Sequence, residues 1–385
     1  MKSFVIVLSL FTTLLVACGN QDTATKETPK AEQEAFTGDS VLMPNFYKRI
    51  EGTIAGKPIV MHLHCINGQC NGSYYYTDIG QWIMLSAVLD KNNGNSLTLT
   101  ELSYSDGEKV AVMQLAYKLG NFKGTWTKSS DNSTQDVDLK EAYPAGSYQF
   151  TTLALYDSVK AYPSSAESPM ARVSKAFVLP TTTDADGAFI ATQIKDMLAI
   201  DSAIRHLDVA EGATKMNGKY IKAYNDEVKE LGGAEHVAFL NYDESNNVSV
   251  CFNEHGIVIF ESAVYAYTGG AHGNGGSRFY CLDVVNKKRI TLQDIIIVDS
   301  ATLQPIVESH FRKQYKLAPT DSLTSILFEN HLALTDNFYF TNKGIGFWYF
   351  PYEVAAYAVG PIQVFVPFAA IRKHINSDFA NRMRL

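Results

Sequence analysis

Residues 57–77 read KPIVMHLHCINGQCNGSYYYT, and the fold turns on whether this stretch is a hairpin. Ile59, Met61, Leu63 and Cys65 alternate with Val60, His62 and His64, the period of two that a half-buried strand requires. Asn67-Gly68 supplies the two residues of positive φ that a type I′ turn needs, so a second strand through Tyr74 to Tyr76 returns antiparallel to the first. In that register Ile66 faces Gln69 and Cys65 faces Cys70. The cysteines then occupy a non-hydrogen-bonded pair with Cα atoms about 4.5 Å apart, within disulfide reach. Two free buried thiols are the alternative. With Met61, Leu63 and Cys65 on the apolar face, His62 and His64 are expected to face solvent, and no third metal ligand is evident beside them.

A disulfide needs an oxidising compartment, and the N-terminus supplies one. Lys2 precedes the apolar run Phe4 to Val16, too short to span a bilayer but suited to a signal-peptide core. It ends in Leu15-Val16-Ala17-Cys18, which resembles the bacterial lipobox, where cleavage leaves a lipid-bearing cysteine. Residues 1–17 are therefore expected to be a lipoprotein signal peptide, Cys18 the lipidation site, and residues 18–44 a polar, flexible tether. That places the protein in the cell envelope, held to a membrane by its lipid, either periplasmic or surface exposed. No other run nears the length of a transmembrane helix. Setting Cys18 aside leaves an even number of cysteines, so Cys251 and Cys281 form the second expected pair.

At 385 residues the chain is long enough for two or three domains, and 46% hydrophobic residues can fill their cores. The balance of 33 Lys plus Arg against 40 Asp plus Glu gives a net charge of −7, which disfavours unaided binding to nucleic acid and favours cationic partners.

Around the opening hairpin the same pattern repeats. YKRIEGTI, QWIMLSAVL, SLTLTEL, KVAVMQLAY, FKGTWTK and QDVDLKE read as strands, punctuated by glycine and asparagine turns. Residues 45–144 are thus expected to form an antiparallel β meander, a small barrel or sandwich. After a linker at AYPAG, residues 142–146, the chain turns mixed. Strands at YQFTTLALYDSVKAY and ARVSKAFVLPT precede two helices, about Asp186 to Leu207 and Ala213 to Leu231. HVAFLNY, NVSVCF, IVIFESAVYAYT and SRFYCLDVV read as strands. A helix follows, capped at Asp299 or Ser300 and running to about Tyr315. NFYFTNKGIGFWYF closes a hairpin at Asn342-Lys343-Gly344, before IQVFVPF and a short helix to His374. The order of elements is that of an α+β fold.

Five glycines punctuate YAYTGGAHGNGGSRFY, Tyr265 to Tyr280. Their spacing fails the dinucleotide fingerprint, no Walker lysine follows, and what comes next is a strand, so no helix N-terminus is available for a phosphate. His272 in this loop is a candidate general base, yet the chain holds no Gly-x-Ser-x-Gly, Ser-x-x-Lys or His-Glu-x-x-His to complete a catalytic set. A polar side chain in a glycine-rich hairpin connection is the plainer reading. PYEVAAYAVGP, Pro351 to Pro361, carries Tyr352 and Tyr357 between two prolines. Rigid aromatics on a restrained loop serve well as recognition anchors, or else cap the sheet.

Three segments, Tyr267 through Gly273, Leu292-Gln293-Asp294 and Pro351-Tyr352-Glu353 through Gly360, resemble the extracytoplasmic domain of RsiV-type anti-sigma factors. The likeness spans about Phe252 to Ile371, and residues from about Ser147 to Asn247 are similar, more weakly, to the companion domain that precedes it. The resemblance implies an α+β domain pair, residues 147–250 and 251–385, in which the glycine motif joins two sheet strands. It further implies recognition without chemistry, since such domains include lysozyme-binding ectodomains and non-catalytic modules of peptidoglycan deacetylases. On this reading Tyr267, His272, Pro351, Tyr352, Glu353 and Tyr357 form the binding surface, lysozyme or peptidoglycan fragments are the partners, and neither catalytic residue, metal nor cofactor is involved. A glycan hydrolase pairing His272 with a carboxylate such as Glu261 is the alternative.

Overall fold

We describe a computed structural model over residues 39–89, 93–103, 108–231 and 239–385. All eight expected N-terminal strands are present: β1 (Phe46–Ile54), β2 (Lys57–Ile66), β3 (Gln69–Tyr76), β4 (Ile83–Val88), β5 (Ser96–Leu102), β6 (Lys109–Lys118), β7 (Asn121–Lys128) and β8 (Thr134–Glu141). Each pairs antiparallel with the next, and β1 also pairs with β8, so the meander closes into a barrel with no free edge. Period-two alternation sends Ile50, Met61, Leu63, Leu99, Met113 and Phe122 into its interior. The Asn67-Gly68 turn forms with both residues at positive φ, and Cys65 and Cys70, with Cα atoms 4.1 Å apart, are joined in a disulfide.

The second half centres on a six-stranded sheet in the order β14-β13-β12-β11-β10-β9, built from β9 (Phe150–Lys160), β10 (Met170–Pro180), β11 (Tyr242–Glu254), β12 (Ile257–Thr268), β13 (Asn274–Asp283) and β14 (Lys288–Arg289). β10 and β11 are parallel, and the crossover between them carries α1 (Ala185–Met197) and α2 (Val209–Leu231). Asp184 caps α1, its carboxylate accepting from the backbone N–H groups of Asp186 and Gly187. The long first helix expected to run to Leu207 instead stops at Met197, followed by a single 3₁₀ turn at Ser202–Ile204. The strand expected at HVAFLNY does not begin until Tyr242. Residues 236–238 lie outside the described residues, and Phe239-Leu240 form a 3₁₀ turn. The segment boundary read at 250/251 falls inside β11, which ties both segments into one sheet.

One face of this sheet, with Val248, Val258, Phe260 and Leu282, packs on Ile190, Ile194 and Met197 of α1. The other face, with Ile257, Ile259 and Phe279, packs on a three-stranded sheet of β15 (Phe338–Phe340), β16 (Gly344–Tyr349) and β17 (Ile362–Pro367). The chain also holds α3 (Leu292–Ile295), α4 (Ser300–Gln314) and α5 (Ser377–Met383). Asp299 caps α4 through Thr302 N–H, whereas the short helix expected to end at His374 is two 3₁₀ turns, Phe368–Ala370 and Arg372–His374, with α5 beyond them.

The barrel packs against this half of the chain through both clusters, Val60, Tyr75 and Trp82 joining Ile259 and Phe279 and Tyr47 joining Phe150 and Phe260, and this corrects the reading of the histidines. His62 is 1% exposed and His64 5%. They do lie on the outer wall of β2, but that wall is covered. β10 leaves β11 after Val248, and His64 Nε2 takes the Val250 N–H at 2.9 Å. Tyr47 Oη lies 3.0 Å from His62 Nδ1 and accepts from Asn253 Nδ2 at 3.1 Å. Arg49 donates to the Asn253 carbonyl at 3.1 Å and to Glu254 at 2.9 Å. Burial holds His64 down at a pKa of about 3, and burial with the neighbouring Arg49 and His64 holds His62 well below its ordinary value.

A second correction concerns the cysteines. Cys251 and Cys281 are free and buried. They sit on β11 and β13 with β12 between them, so two inter-strand spacings, about 9.5 Å, separate their chains, beyond the span of a disulfide. Burial pushes both thiols up, which leaves them unreactive.

Candidate functional site

The glycine loop, residues 269–273, connects β12 to β13 at one end of the six-stranded sheet. Tyr267, the penultimate residue of β12, donates its hydroxyl to the Gly270 carbonyl at 2.9 Å and so braces the loop. Across from it, residues 350–361 are pinned by the bridge between Leu327 and Ala355 and by Phe328 N–H donating to the Val354 carbonyl. Glu353 accepts the Phe350 N–H at 2.8 Å and closes a tight turn over Pro351-Tyr352. In that turn Tyr352 adopts φ 69°, a left-handed conformation that disfavours a side chain.

The two loops meet through rings. His272 stacks on Tyr357 with centroids 4.2 Å apart, and Tyr357 on Tyr352 at 5.4 Å. The Gly273 carbonyl accepts from Tyr357 Oη at 3.0 Å and lies 2.9 Å from His272 Nδ1. A carbonyl only accepts, so that contact keeps the imidazole proton on Nδ1 and turns Nε2 towards Tyr352 Oη, 3.5 Å away. Tyr352 is 51% exposed and Tyr265 41%, so the cluster presents aromatic surface to solvent.

The glycines now have a physical role. A methyl group at Gly273 would overlap the Tyr265 phenol, and one at Gly276 would overlap the Phe350 ring. Only backbone without Cβ lets these rings lie against the loop. Of the six residues expected to bind, His272, Tyr352 and Tyr357 come together as one platform. Tyr267, Pro351 and Glu353 hold its two loops in shape. Tyr265 and Phe350 also contribute, their rings lying where a Cβ at Gly273 and at Gly276 would stand.

Glu261 stands elsewhere. It lies five residues along β12 from Ala266, where the ladder to β13 ends, a path of about 17 Å. Its carboxylate accepts from Ser277 Oγ, and burial raises its pKa. The pair required by the hydrolase alternative is not assembled. Among the described residues no group of three His, Cys, Asp or Glu side chains is placed to hold a metal ion, and no helix is long and apolar enough to cross a membrane. Cys18 lies outside the described residues.

Residues 293–369, which include the Pro351–Pro361 loop, match the family model described as Protein of unknown function (DUF3298). The segment is DUF3298-like. A solved member of that family from Bacteroides fragilis superposes with a TM-score of 0.56 at 19% identity, covering 62% of this chain and 97% of that one. A DUF3298 family protein from Pseudomonas aeruginosa PAO1 gives a TM-score of 0.42 at 16% identity, covering 61% of this chain and 98% of that one. No curated protein matches the chain. The Bacteroides fragilis structure establishes shared architecture, and DUF3298 itself carries no assigned function.

Proposed function

We propose that the protein is a non-catalytic binding lipoprotein of the cell envelope, of the RsiV-type ectodomain class, anchored through Cys18 and recognising peptidoglycan fragments or lysozyme. The observation that carries this reading is the exposed stack of His272, Tyr357 and Tyr352, held on two braced loops. Flat rings fixed in advance lose little entropy on binding and bury large apolar area against a sugar face or a protein knob. The acidic net charge, −7, steers a cationic protein such as lysozyme towards it.

Calorimetry of the full chain against solubilised peptidoglycan and against lysozyme tests the reading. Tyr352→Ala is expected to weaken the complex by about 2 kcal/mol, close to thirtyfold, as loss of an aromatic anchor does. His272→Ala is expected to cost about 1 kcal/mol through the lost stack on Tyr357. Affinity for both partners that is indifferent to Tyr352→Ala would remove the platform from the reading. The anchor has its own test: Cys18→Ser should yield an unprocessed precursor without incorporated fatty acid, and continued labelling would refute lipidation.

A further inference from the structure

Between the barrel and the six-stranded sheet runs a cleft that the platform does not use. It comprises two adjoining cavities of about 230 Å³ and about 220 Å³, which share His64, Asn71, Asn247 and Ser249 as lining. Asn71 of β3 and Asn247 of β11 are exposed and stand at the mouth, one on each side. The deeper wall of the first cavity is aromatic, formed by Trp82, Phe279 and Trp348, and there Glu261 and Ala263 of β12 also reach the surface. Trp82 is clamped in place, stacked on Tyr339 at 3.5 Å, and its buried Nε1 has no protein acceptor.

The chemistry of this lining is selective. The amides of Asn71 and Asn247 and the hydroxyls of Ser73 and Ser249 supply hydrogen bonds without formal charge, next to flat apolar walls. The ionisable groups that face it are His64, Glu261 and Cys251, and burial opposes the charged form of each. No Lys or Arg lines either cavity, so a phosphate or a carboxylate would find no cation here. A neutral molecule rich in hydroxyl and amide groups would find partners for them and an aromatic wall for its apolar face. Each cavity lies below the roughly 300 Å³ at which drug-sized pockets begin. Two such cavities in line suit two successive small rings better than one large ligand.

We infer that the cleft between barrel and sheet is a saccharide-binding site for two consecutive neutral sugar residues, with Asn71 and Asn247 at its mouth and Trp82, Phe279 and Trp348 as its aromatic wall. The inference deepens the peptidoglycan side of the proposed function and rests on it. Tyr265 follows Ala263 on the same face of β12, about 7 Å further along. A glycan strand leaving the cleft in that direction meets the tyrosine and histidine platform.

The test is titration of the full chain with the β-1,4-linked tetramer of N-acetylglucosamine, followed by calorimetry and by fluorescence of Trp82 and Trp348. Saturable binding that perturbs the fluorescence is expected. Asn247→Trp and Asn71→Trp, each at an exposed mouth position that leaves the core intact, are expected to weaken it at least tenfold. Lys123→Ala, at an exposed barrel position outside both cavities, is expected to stay within about threefold of the parent. Tyr352→Ala separates the two sites. If it abolishes binding while both mouth variants bind as the parent does, the platform holds the sugar and the cleft proposal is overturned. If the mouth variants abolish binding and Tyr352→Ala does not, the cleft stands and the platform loses its glycan role. No binding of the tetramer at millimolar concentration overturns the cleft proposal and leaves lysozyme recognition by the platform to its own calorimetry.

Discussion

The two faces of β2 are both buried, and they are buried by opposite means. Inward, Ile59, Met61, Leu63 and Cys65 join the apolar cluster of the barrel. Outward, His62 and His64 join Tyr47, Arg49 and Asn253 in a hydrogen-bonded seam against the second half of the chain. The interior is held by shape and by exclusion of water, and tolerates loss of a contact in proportion to the cavity left. The seam is held by donors and acceptors that have given up water, so each one removed strands its partner. Burial alone therefore says little about how a region will respond to change; the chemistry of what is buried decides.

Four measurements sharpen or break that contrast, from the largest expected effect down. Arg49→Ala strips four hydrogen bonds from a side chain that is 2% exposed and leaves Glu254 without its partner. It should cost about 3–5 kcal/mol and split chemical denaturation into separate transitions for the barrel and the rest. A single unshifted transition would show that the seam is not what couples them.

Acid should open the seam next. His64 is held at about 3 against an ordinary value near 6.5, so its contribution is complete above pH 6.5 and is lost as pH falls from there towards 3. At about 1.4 kcal/mol per pH unit, the wild type should lose about 2 kcal/mol more than His64→Gln between pH 7 and pH 5. Parallel stability curves for the two proteins would mean that His64 takes up its proton without disturbing the seam. Glu101, Glu141 and Glu261 have raised values of the opposite sense, which is why the comparison is made against the variant and not against pH alone.

Replacing Cys65 and Cys70 together by serine acts on the interior. The closed loop is short, so the loss should be about 2 kcal/mol or less, confined to the barrel transition. The smallest effect is expected on the far wall of the barrel. Lys123 and Asp138 pair at 3.0 Å but are more than half exposed, and Lys123→Ala should change stability by less than about 0.5 kcal/mol. A larger loss there would mean that the uncovered wall is not simply solvated.

Much of this architecture was legible in the residues. The eight barrel strands, the disulfide register across Asn67-Gly68 and the Asp299 cap follow from local rules of period, turn and capping, which act within a few residues. What local rules cannot supply is the identity of the covering surface. Alternation placed His62 and His64 on the outer wall correctly and then assigned that wall to water, because nothing in β2 encodes the arrival of β11. Parity of cysteines failed for a related reason: Cys251 and Cys281 match in number, but an intervening strand that no count reveals keeps them apart. At the platform, the sequence marked His272, Tyr352 and Tyr357 separately. Their stacking depends on a loop and a hairpin some eighty residues apart converging, which is again a tertiary fact.

Closure of β1 onto β8 has a consequence in time. The last ladder of the barrel is made by residues 137–141, so the barrel has every strand it needs before any residue of the six-stranded sheet has been synthesised. β10, by contrast, waits for β11 across residues 181–241, a delay that non-local pairing imposes on any nascent chain. During that interval the outer wall of β2 has no cover. A wall of leucines would invite the wrong partner. A wall of hydrated, titratable histidines stays soluble until the second half arrives and takes their water away.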